Sequence, residues 1–372
     1  MSLVPNHYQI NNDRKKFPTK SLHKIEKTQL IDLLKKSILM NKTKLSNIYV
    51  AEMVCSGYYR EIWDLFFTIW VNYVQLKNLR LLSWLLEKYH YYKKIQSDNR
   101  GNQPNLKNLQ EIRDNFSQVC TILSIAAKTR IQINSKQQNF ELSENTREIA
   151  NYYWSISRKQ QDENIPLENE SQFILALAQF IEAYNQHKIK AVYFWLRQFF
   201  LFTYKIKPIY TKFFKATKKT ADHCIWLVWY FIYHLAKKKV PDGLIYRIIT
   251  DLKELFLHFL GANNYEISLN YLYIAICYLQ CFNRLSSLGN IDVINRKVIK
   301  RVMSVNLIYS NLEVLIQKYY YGNDPDQVER ELEQQEAILI KNADKPRDKP
   351  IVIDTGDGYN VTKFTVKIDK NK

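Results

Sequence analysis

The stretch LIDLLKKSILMNKTKLSNIYVAEMVCSGYYREIWDLFF, residues 30–67, decides the fold that the sequence predicts. Its apolar residues recur at the three- and four-residue spacing of amphipathic helices, with lysines between them. The first helical region is predicted from Ser21, whose hydroxyl can cap a helix. A second helix is predicted over Leu45–Ser56 and ends at Gly57, since glycine readily adopts the left-handed conformation that follows a helix. A third, aromatic helix is predicted over Tyr58–Tyr73.

The composition extends this helical pattern to the rest of the 372-residue chain. Hydrophobic residues make up 46% of the chain and aromatic residues 14%, which indicates a large core and excludes disorder for most of the sequence. Only 8 Gly and 9 Pro are present, which argues against a turn-rich β-fold and against glycine-loop nucleotide folds. We therefore expect an all-α fold, an irregular multi-helix bundle or array with a small C-terminal β-hairpin.

Changes in composition along the chain predict its organisation. The predicted segments are a flexible basic arm (1–20), an N-terminal helical half (21–158), a polar loop (159–171), a C-terminal helical half (172–322), a charged helix with a linker (323–349) and a β-hairpin tail (350–372). Helices within the halves include 76–94, 106–133 (one helix or two) and 291–321. The two halves are expected to pack as one body, because their helices are apolar round much of their circumference.

Positive charge is concentrated in the predicted helical body. The chain has 54 Lys and Arg against 36 Asp and Glu, a net charge of +18. From residue 323 onward there are 9 basic and 11 acidic residues, so the remaining 45 basic and 25 acidic residues give residues 1–322 a net charge of +20. Such a body favours an anionic partner: nucleic acid, lipid headgroups or an acidic protein.

Two basic clusters are the predicted contacts for an anion or nucleic acid. The segment YKIKPIYTKFFKATKK, residues 204–219, interleaves lysines with aromatic residues and contains no acid. Lysines suit phosphate contacts and aromatic rings suit base stacking, although the same pattern also fits aromatics facing a core with lysines in solvent. The predicted contact residues of both clusters are Lys205, Lys207, Lys212, Lys215, Lys218, Lys219, Arg296, Lys297, Lys300 and Arg301.

No catalytic residue, metal site or cofactor is predicted, and we expect no enzyme. The motifs GxxxxGK[ST], GxGxxG, HExxH and GxSxG do not occur. Asp354-Thr355-Gly356 is the triplet of aspartic proteases, but those enzymes pair two such aspartates, so a hairpin turn is favoured. Cys277 and Cys281 have the spacing of half a metal site, but their apolar neighbours favour core thiols.

Three further features bear on location. The five cysteines are few, odd in number and set in apolar runs, which is typical of reduced thiols in an intracellular protein. The first twenty residues lack the apolar run of a secretory signal. The longest uncharged stretch, Ile267–Asn283, contains polar residues and is shorter than a membrane span, so a buried helix is expected.

Residues 30–86 resemble the collar-like helical region that follows the ATPase in some clamp-loader-related AAA+ proteins. There a KSI helix is followed by an A-E-L…S-G-Y…L-W pair. The matching positions here are Lys36-Ser37-Ile38, Ala51-Glu52, Ser56-Gly57-Tyr58 and Ile62-Trp63. The same block, with CIWLVWYFI at residues 224–232, also resembles a family of uncharacterised helical proteins of large nucleocytoplasmic DNA viruses, over most of residues 20–320.

The viral resemblance implies a large DNA virus as the source and brings no activity with it. The clamp-loader resemblance carries no ATPase activity, since Walker motifs do not occur in the chain. We expect a non-enzymatic structural or assembly protein, a minor virion component whose partners are other structural or assembly proteins. The alternative is a nucleic-acid-binding accessory factor of replication or transcription. The expected location is the host cytoplasm, the virus factory or the virion, with no membrane span.

The predicted hairpin generates the first testable prediction. Phe364, Val366 and Ile368 share one strand face, and two isolated strands cannot stabilise themselves, so the hairpin is expected to attach to a partner or cap the body. Truncation after Asn342 should leave helix content and melting temperature nearly unchanged in circular dichroism while abolishing assembly in sedimentation. If the truncated chain still assembles, the hairpin is only a cap.

Overall fold

The all-α prediction is confirmed for the part of the chain that the computed structural model describes. That part consists of residues 9–11, 17–75, 78, 80–99, 105–128, 137–158, 167–203, 225–239, 243–261, 264–286 and 305–321, and it contains thirteen α-helices and no strand. Residues 1–312 form one compact unit and residues 313–372 a second. The predicted domain boundaries stay predictions.

The helices follow the chain in this order: α1 Lys27–Leu39, α2 Thr43–Cys55, α3 Tyr59–Ile69, α4 Arg80–Asp98, α5 Gln110–Ile125, α6 Glu144–Arg158, α7 Leu167–Asn185, α8 Ile189–Thr203, α9 Ile225–Lys239, α10 Gly243–Gly261, α11 Tyr265–Ser286, α12 Val305–Ser310 and α13 Leu312–Tyr319. In the first unit, α1, α2, α3 and α5 pack together, and α4 joins α5 to α10. Helices α6, α7 and α8 are successive neighbours, while α9, α10 and α11 pack on one another.

Small polar side chains form the contact between α2 and α5. The hydroxyls of Ser46 and Ser124 are 2.8 Å apart. The Asn47 side chain donates to Thr121 Oγ1 at 2.9 Å and accepts from Ser117 Oγ at 2.5 Å. All five residues are buried, so sliding one helix along the other would leave polar atoms unpaired away from water. These bonds therefore fix the register of α2 against α5.

Trp63 on α3 is the centre of an aromatic cluster that joins three helices. Its indole is 1% exposed. The rings with centroids within 6.1 Å of it belong to Phe66, Phe67, Tyr89, Tyr92 and Phe116. Because these rings come from α3, α4 and α5, one side chain holds the three helices together through apolar contact and ring-edge packing.

Helix α3 continues into a single π-helical turn, Trp70–Val74, which contacts α11. The ring of Tyr271 stacks on that of Trp70 with centroids 6.1 Å apart and planes 11° apart. The Tyr271 hydroxyl donates to the Phe67 carbonyl at 2.8 Å. Asn270 Nδ2 donates to Asn72 Oδ1 at 3.1 Å. The π-turn thus carries the contact between the first helices and α11.

Helix α11 contains the long uncharged stretch of the sequence. Its residues 271–279 are buried, which confirms the prediction of a buried helix there. Gln280 donates to the Tyr184 carbonyl at 2.8 Å and so joins α11 to the end of α7. Across the described ranges, every helix falls short of the length and apolarity that crossing a bilayer requires.

In the described part of the chain, three helices are followed by a residue with left-handed backbone conformation. Gly57, with φ of 74°, follows α2, and the amides of Gly57 and Tyr58 donate to Val54 and Met53. This double hydrogen bond is a Schellman motif, and it confirms the predicted end of the second helix. Asn41 after α1 (φ 61°) and His187 after α7 (φ 54°) occupy the same position without being glycine.

Ser21 does not cap α1, contrary to the prediction. The helix begins six residues later, at Lys27. Ser21 Oγ instead accepts a hydrogen bond from the Ile25 amide at 3.1 Å, within a loop that Lys20 and Glu26 close as an isolated antiparallel bridge. Lys24 in this loop has φ of 67°, so the chain reverses direction before the helix can start.

Other predicted helix boundaries also require correction. Helix α4 runs from Arg80 to Asp98 rather than over 76–94, and α5 is confined to Gln110–Ile125. Helix α7 starts at Leu167, inside the predicted polar loop 159–171. In the described portion of 291–321, a turn at Asn311 separates α12 from α13, so one continuous helix is wrong there. The predicted charged helix, linker and hairpin, 323–372, lie outside the described residues.

Replacing Trp63 tests the importance of the aromatic cluster. Trp63→Ala should lower the free energy of unfolding by about 3–5 kcal/mol, because the lost apolar contact is accompanied by a cavity. Met40→Ala is the control: Met40 is 62% exposed, and its replacement should cost less than about 0.5 kcal/mol. Urea denaturation followed by circular dichroism gives both values. Equal losses in the two variants would show that the cluster is not the centre of the core.

Candidate binding site between α4 and α5

The ten basic residues predicted to contact an anion lie outside the described residues. They fall in 205–219 and 296–301, and the described contacts do not include either segment. The Asp354-Thr355-Gly356 triplet is also outside the described ranges. The hypothesis of a basic nucleic-acid contact therefore stays a prediction.

The cysteines that the structure describes are core residues. Cys55, Cys120 and Cys277 are buried, which confirms the interpretation of these three as core residues. Burial raises the pKa of the Cys120 thiol to about 12, and it also raises the pKa of Cys55. Both thiols are therefore protonated at neutral pH. Among the described side chains, no three His, Cys, Asp or Glu residues are placed to share a metal ion.

Histidine–carboxylate pairs join separate parts of the chain. His23 Nδ1 lies 2.6 Å from Glu52 Oε2, and the His23 amide donates to Glu52 Oε1 at 2.8 Å. Glu52 is fully buried on α2, so this pair fastens the loop before α1 onto that helix. His258 Nε2 lies 2.7 Å from Asp64 Oδ1 and links α10 to α3. These groups, which often serve in acid–base catalysis, here connect structural elements.

Helices α4 and α10 are joined by a row of polar contacts. Ser83 donates to Asp251, and burial is the main cause that raises the pKa of this carboxyl. Arg247 Nη2 lies 2.6 Å from Glu87 Oε1. His90 Nε2 lies 2.6 Å from Glu254 Oε1. This contact is about two turns beyond Ser83 on α4 and about one turn beyond Asp251 on α10. The row fixes how α10 lies along α4.

Arg113 is a charged side chain at the centre of the packed helices. It is fully buried, and its Nε donates to the Lys107 carbonyl at 2.7 Å. Its Nη2 donates to Asn108 Oδ1 at 3.0 Å, and the guanidinium carbon lies 4.4 Å from the centre of the Tyr309 ring. These contacts replace much of the hydration that the guanidinium loses on burial.

A cavity of about 550 Å³ lies between α4 and α5. Helix α4 lines it with Trp84, Glu87, Lys88 and Tyr91. Helix α5 lines it with Glu111, Asp114, Asn115 and Gln118. Each set has the spacing i, i+3, i+4, i+7, so the cavity is a groove between two facing helix surfaces. We call it the α4–α5 groove; its volume lies in the range typical of small-molecule sites.

The α4–α5 groove is acidic although the whole chain is basic. Three carboxylates and one lysine line it. Lys88 Nζ donates to Gln118 Oε1 at 2.8 Å and lies 5.6 Å from the centre of the Trp84 ring. Burial lowers the pKa of Lys88, and the carboxylates of Asp114 and Glu87 oppose that shift. The lining therefore already holds one ammonium group beside an aromatic face.

Sequence reasoning did not identify this groove. Its charged residues are scattered between 84 and 118 in no motif, and the spacing signal is typical of any solvated helix face. Only the pairing of α4 with α5 brings the two sets of side chains together. Polar residues with matching i, i+3, i+4, i+7 spacing on two consecutive helices were the one usable signal.

A lysine joins the ends of α1 and α5. Lys128 Nζ donates to Asn41 Oδ1 at 2.5 Å and to the Ser124 carbonyl at 2.6 Å. Next to these two acceptors in sequence, Met40 is 62% exposed and Ile125 is 45% exposed. We call these two apolar side chains, together with Lys128, the Met40–Ile125 surface.

Three comparisons, with models of protein families, with curated proteins and with solved structures, find no match to this chain. The viral and clamp-loader resemblances consequently remain expectations from the sequence.

The environment of the Lys128 amine can be tested by acetylation. Burial lowers the pKa of Lys128 to about 8, whereas the amine of a lysine in an unfolded chain titrates near pH 10.4. Because only the neutral amine is nucleophilic, its acetylation should rise with a midpoint near pH 8 in the folded protein. Mass spectrometry of labelled peptides gives this midpoint. The same residue in urea is the control, and equal midpoints in the two states would contradict the described environment.

Proposed function

We propose that this chain is a non-enzymatic structural or assembly protein, a minor component of the particle of a large DNA virus. Its partners are other structural or assembly proteins, which it contacts through its basic helical body. The viral part of the proposal is motivated by the resemblance of residues 20–320 to helical proteins of such viruses. The non-enzymatic, structural role is motivated by the hydrogen bonds and ion pairs that join separate elements of the fold.

The observation that carries the proposal is that side chains of types common in catalysis make structural contacts here. Glu52, Asp64 and Asp251 are residue types that often act in catalysis, and each is engaged with a side chain from another structural element. The buried Cys55 and Cys120 thiols are held protonated. The three carboxylates fasten separate structural elements to one another, which is the arrangement that a scaffold needs.

The Met40–Ile125 surface supplies a place for a protein partner. Exposed apolar side chains beside a cation favour a partner that offers apolar contact and a carboxylate. Lys36 is also exposed, on the last turn of α1. With a net charge of +20 on residues 1–322, an acidic protein surface is the complementary partner.

The second candidate is a nucleic-acid-binding accessory factor of replication or transcription. The net charge of +18 and the two basic clusters predicted from the sequence favour it. The two candidates differ in salt dependence. A nucleic-acid complex that uses six or more phosphate contacts should lose about a thousandfold in affinity between 50 and 200 mM salt. Association with particles that persists across this range supports the structural role.

Substitutions on the Met40–Ile125 surface test the proposal directly. The double variant Met40→Ser/Ile125→Ser should weaken assembly at least about tenfold, because about 1.4 kcal/mol of apolar contact is enough for that change. Gradient sedimentation of the protein from producing cells measures the assembled fraction. The melting temperature should stay within about 2 °C, since both side chains are exposed.

Leu175→Ser is the matched control for this experiment. Leu175 is 50% exposed on α7, far from Met40 and Ile125 in sequence, and its replacement removes one exposed apolar side chain. Assembly should be unaffected in this variant. If the double variant assembles normally, or if the control loses assembly equally, this surface is not the contact.

A further inference from the structure

The α4–α5 groove has the charge of a cation site. Glu111 and Asp114 lie one turn apart on the same face of α5, which places their Cβ atoms about 5–6 Å from each other. Glu87 lines the opposite side, and Arg247 engages it from α10. The remaining charge in the groove is Lys88, so the lining carries three carboxylates and one ammonium group.

Asn115 adds an observation that is independent of this charge. The residue is 2% exposed and lines the groove. Its Nδ2 donates to the Lys88 carbonyl at 3.1 Å, but within the described residues its Oδ1 has no hydrogen-bond partner. A buried carbonyl oxygen without a partner costs free energy. This oxygen has almost no solvent-accessible surface, so an N–H donor in the groove would satisfy it after a small rotation of the amide.

The aromatic residues define the rest of the ligand. Lys88 Nζ already lies 5.6 Å from the centre of the Trp84 ring, so this ring face accepts an ammonium group in the groove. Tyr91, at the other end of the α4 face, is 43% exposed and makes a hydrogen bond with Glu111. Flat rings beside carboxylates suit an alkyl chain that carries positive charge.

We propose that the α4–α5 groove binds an aliphatic diamine or polyamine, with two ammonium groups directed at Glu111 and Asp114 and an N–H group at Asn115 Oδ1. The two charges match the two carboxylates one turn apart. The alkyl segment lies against Trp84 and Tyr91. A volume of about 550 Å³ accommodates such a molecule with some water. The proposal is independent of the assembly role.

Calorimetric titration of spermidine into the full chain, freed of nucleic acid and at about 0.15 M salt, tests the proposal. We expect saturable binding to one site. Glu111→Gln and Asp114→Asn should each weaken it about tenfold while leaving the fold intact, because Glu111 is exposed and Asp114 half-buried. Glu266→Gln, which removes an exposed carboxylate on α11, is the charge-matched control and should bind as the unmodified chain does.

Three further probes separate the parts of the recognition. Butylamine, with one charge, should bind at least about tenfold more weakly than spermidine. A bis-quaternary diamine keeps both charges but has no N–H for Asn115, and it should also bind about tenfold more weakly. A lysine-containing peptide tests whether the ammonium group comes from a protein.

The outcomes that overturn the proposal are equally defined. Binding that is absent, or that falls equally in Glu111→Gln and Glu266→Gln, excludes the groove as the site. Equal binding of the bis-quaternary compound removes the role of Asn115. Binding of the lysine peptide in preference to spermidine assigns the groove to a protein side chain instead of a polyamine.

Discussion

The buried guanidinium of Arg113 is the constraint on which the first helices depend. A guanidinium that leaves water needs hydrogen-bond acceptors, and the two acceptors here lie on neighbouring residues, Lys107 and Asn108, of the segment before α5. The Lys107 carbonyl belongs to the short 3₁₀ turn before α5, and Asn108 Oδ1 also accepts from the Ile10 amide at 2.8 Å. The ring of Tyr309 brings in α12. One charge thus gathers segments that are nearly three hundred positions apart in sequence.

The opposite charge lies close by, on α2. Burial raises the pKa of the Cys55 thiol, Glu52 raises it further, and Arg113 opposes the shift. Glu52 is in turn held by His23. A buried acid and a buried base, each with its own hydrogen-bond partners, limit the alternative packings open to this otherwise apolar core. The same role is filled between α2 and α5 by neutral groups such as Asn47.

Periodicity and composition were sufficient for the helical class, for the end of α2 at Gly57 and for the buried α11. These features depend on local conformation and on apolar spacing, which the sequence displays directly. The start of α1 was mispredicted because a serine favours both helix caps and tight turns, and here the bridge between Lys20 and Glu26 selects the turn. The α4–α5 groove depends on which helices pair, and a single sequence does not display pairing. The basic clusters at 205–219 and 296–301 remain as predicted from the sequence.

The π-turn after α3 makes this part of the chain sensitive to the deletion of a residue. A π-turn accommodates one residue more than an α-helix does over the same span. Deleting one residue from Trp70–Val74 would restore regular α-helical hydrogen bonding and leave the preceding helix in register, so the side chains of the turn itself would be reoriented. Asn72 would then turn away from Asn270, and the connection to α11 would be lost. The extra residue of the turn thus directs Asn72 at α11, and this contact makes the turn intolerant of deletion.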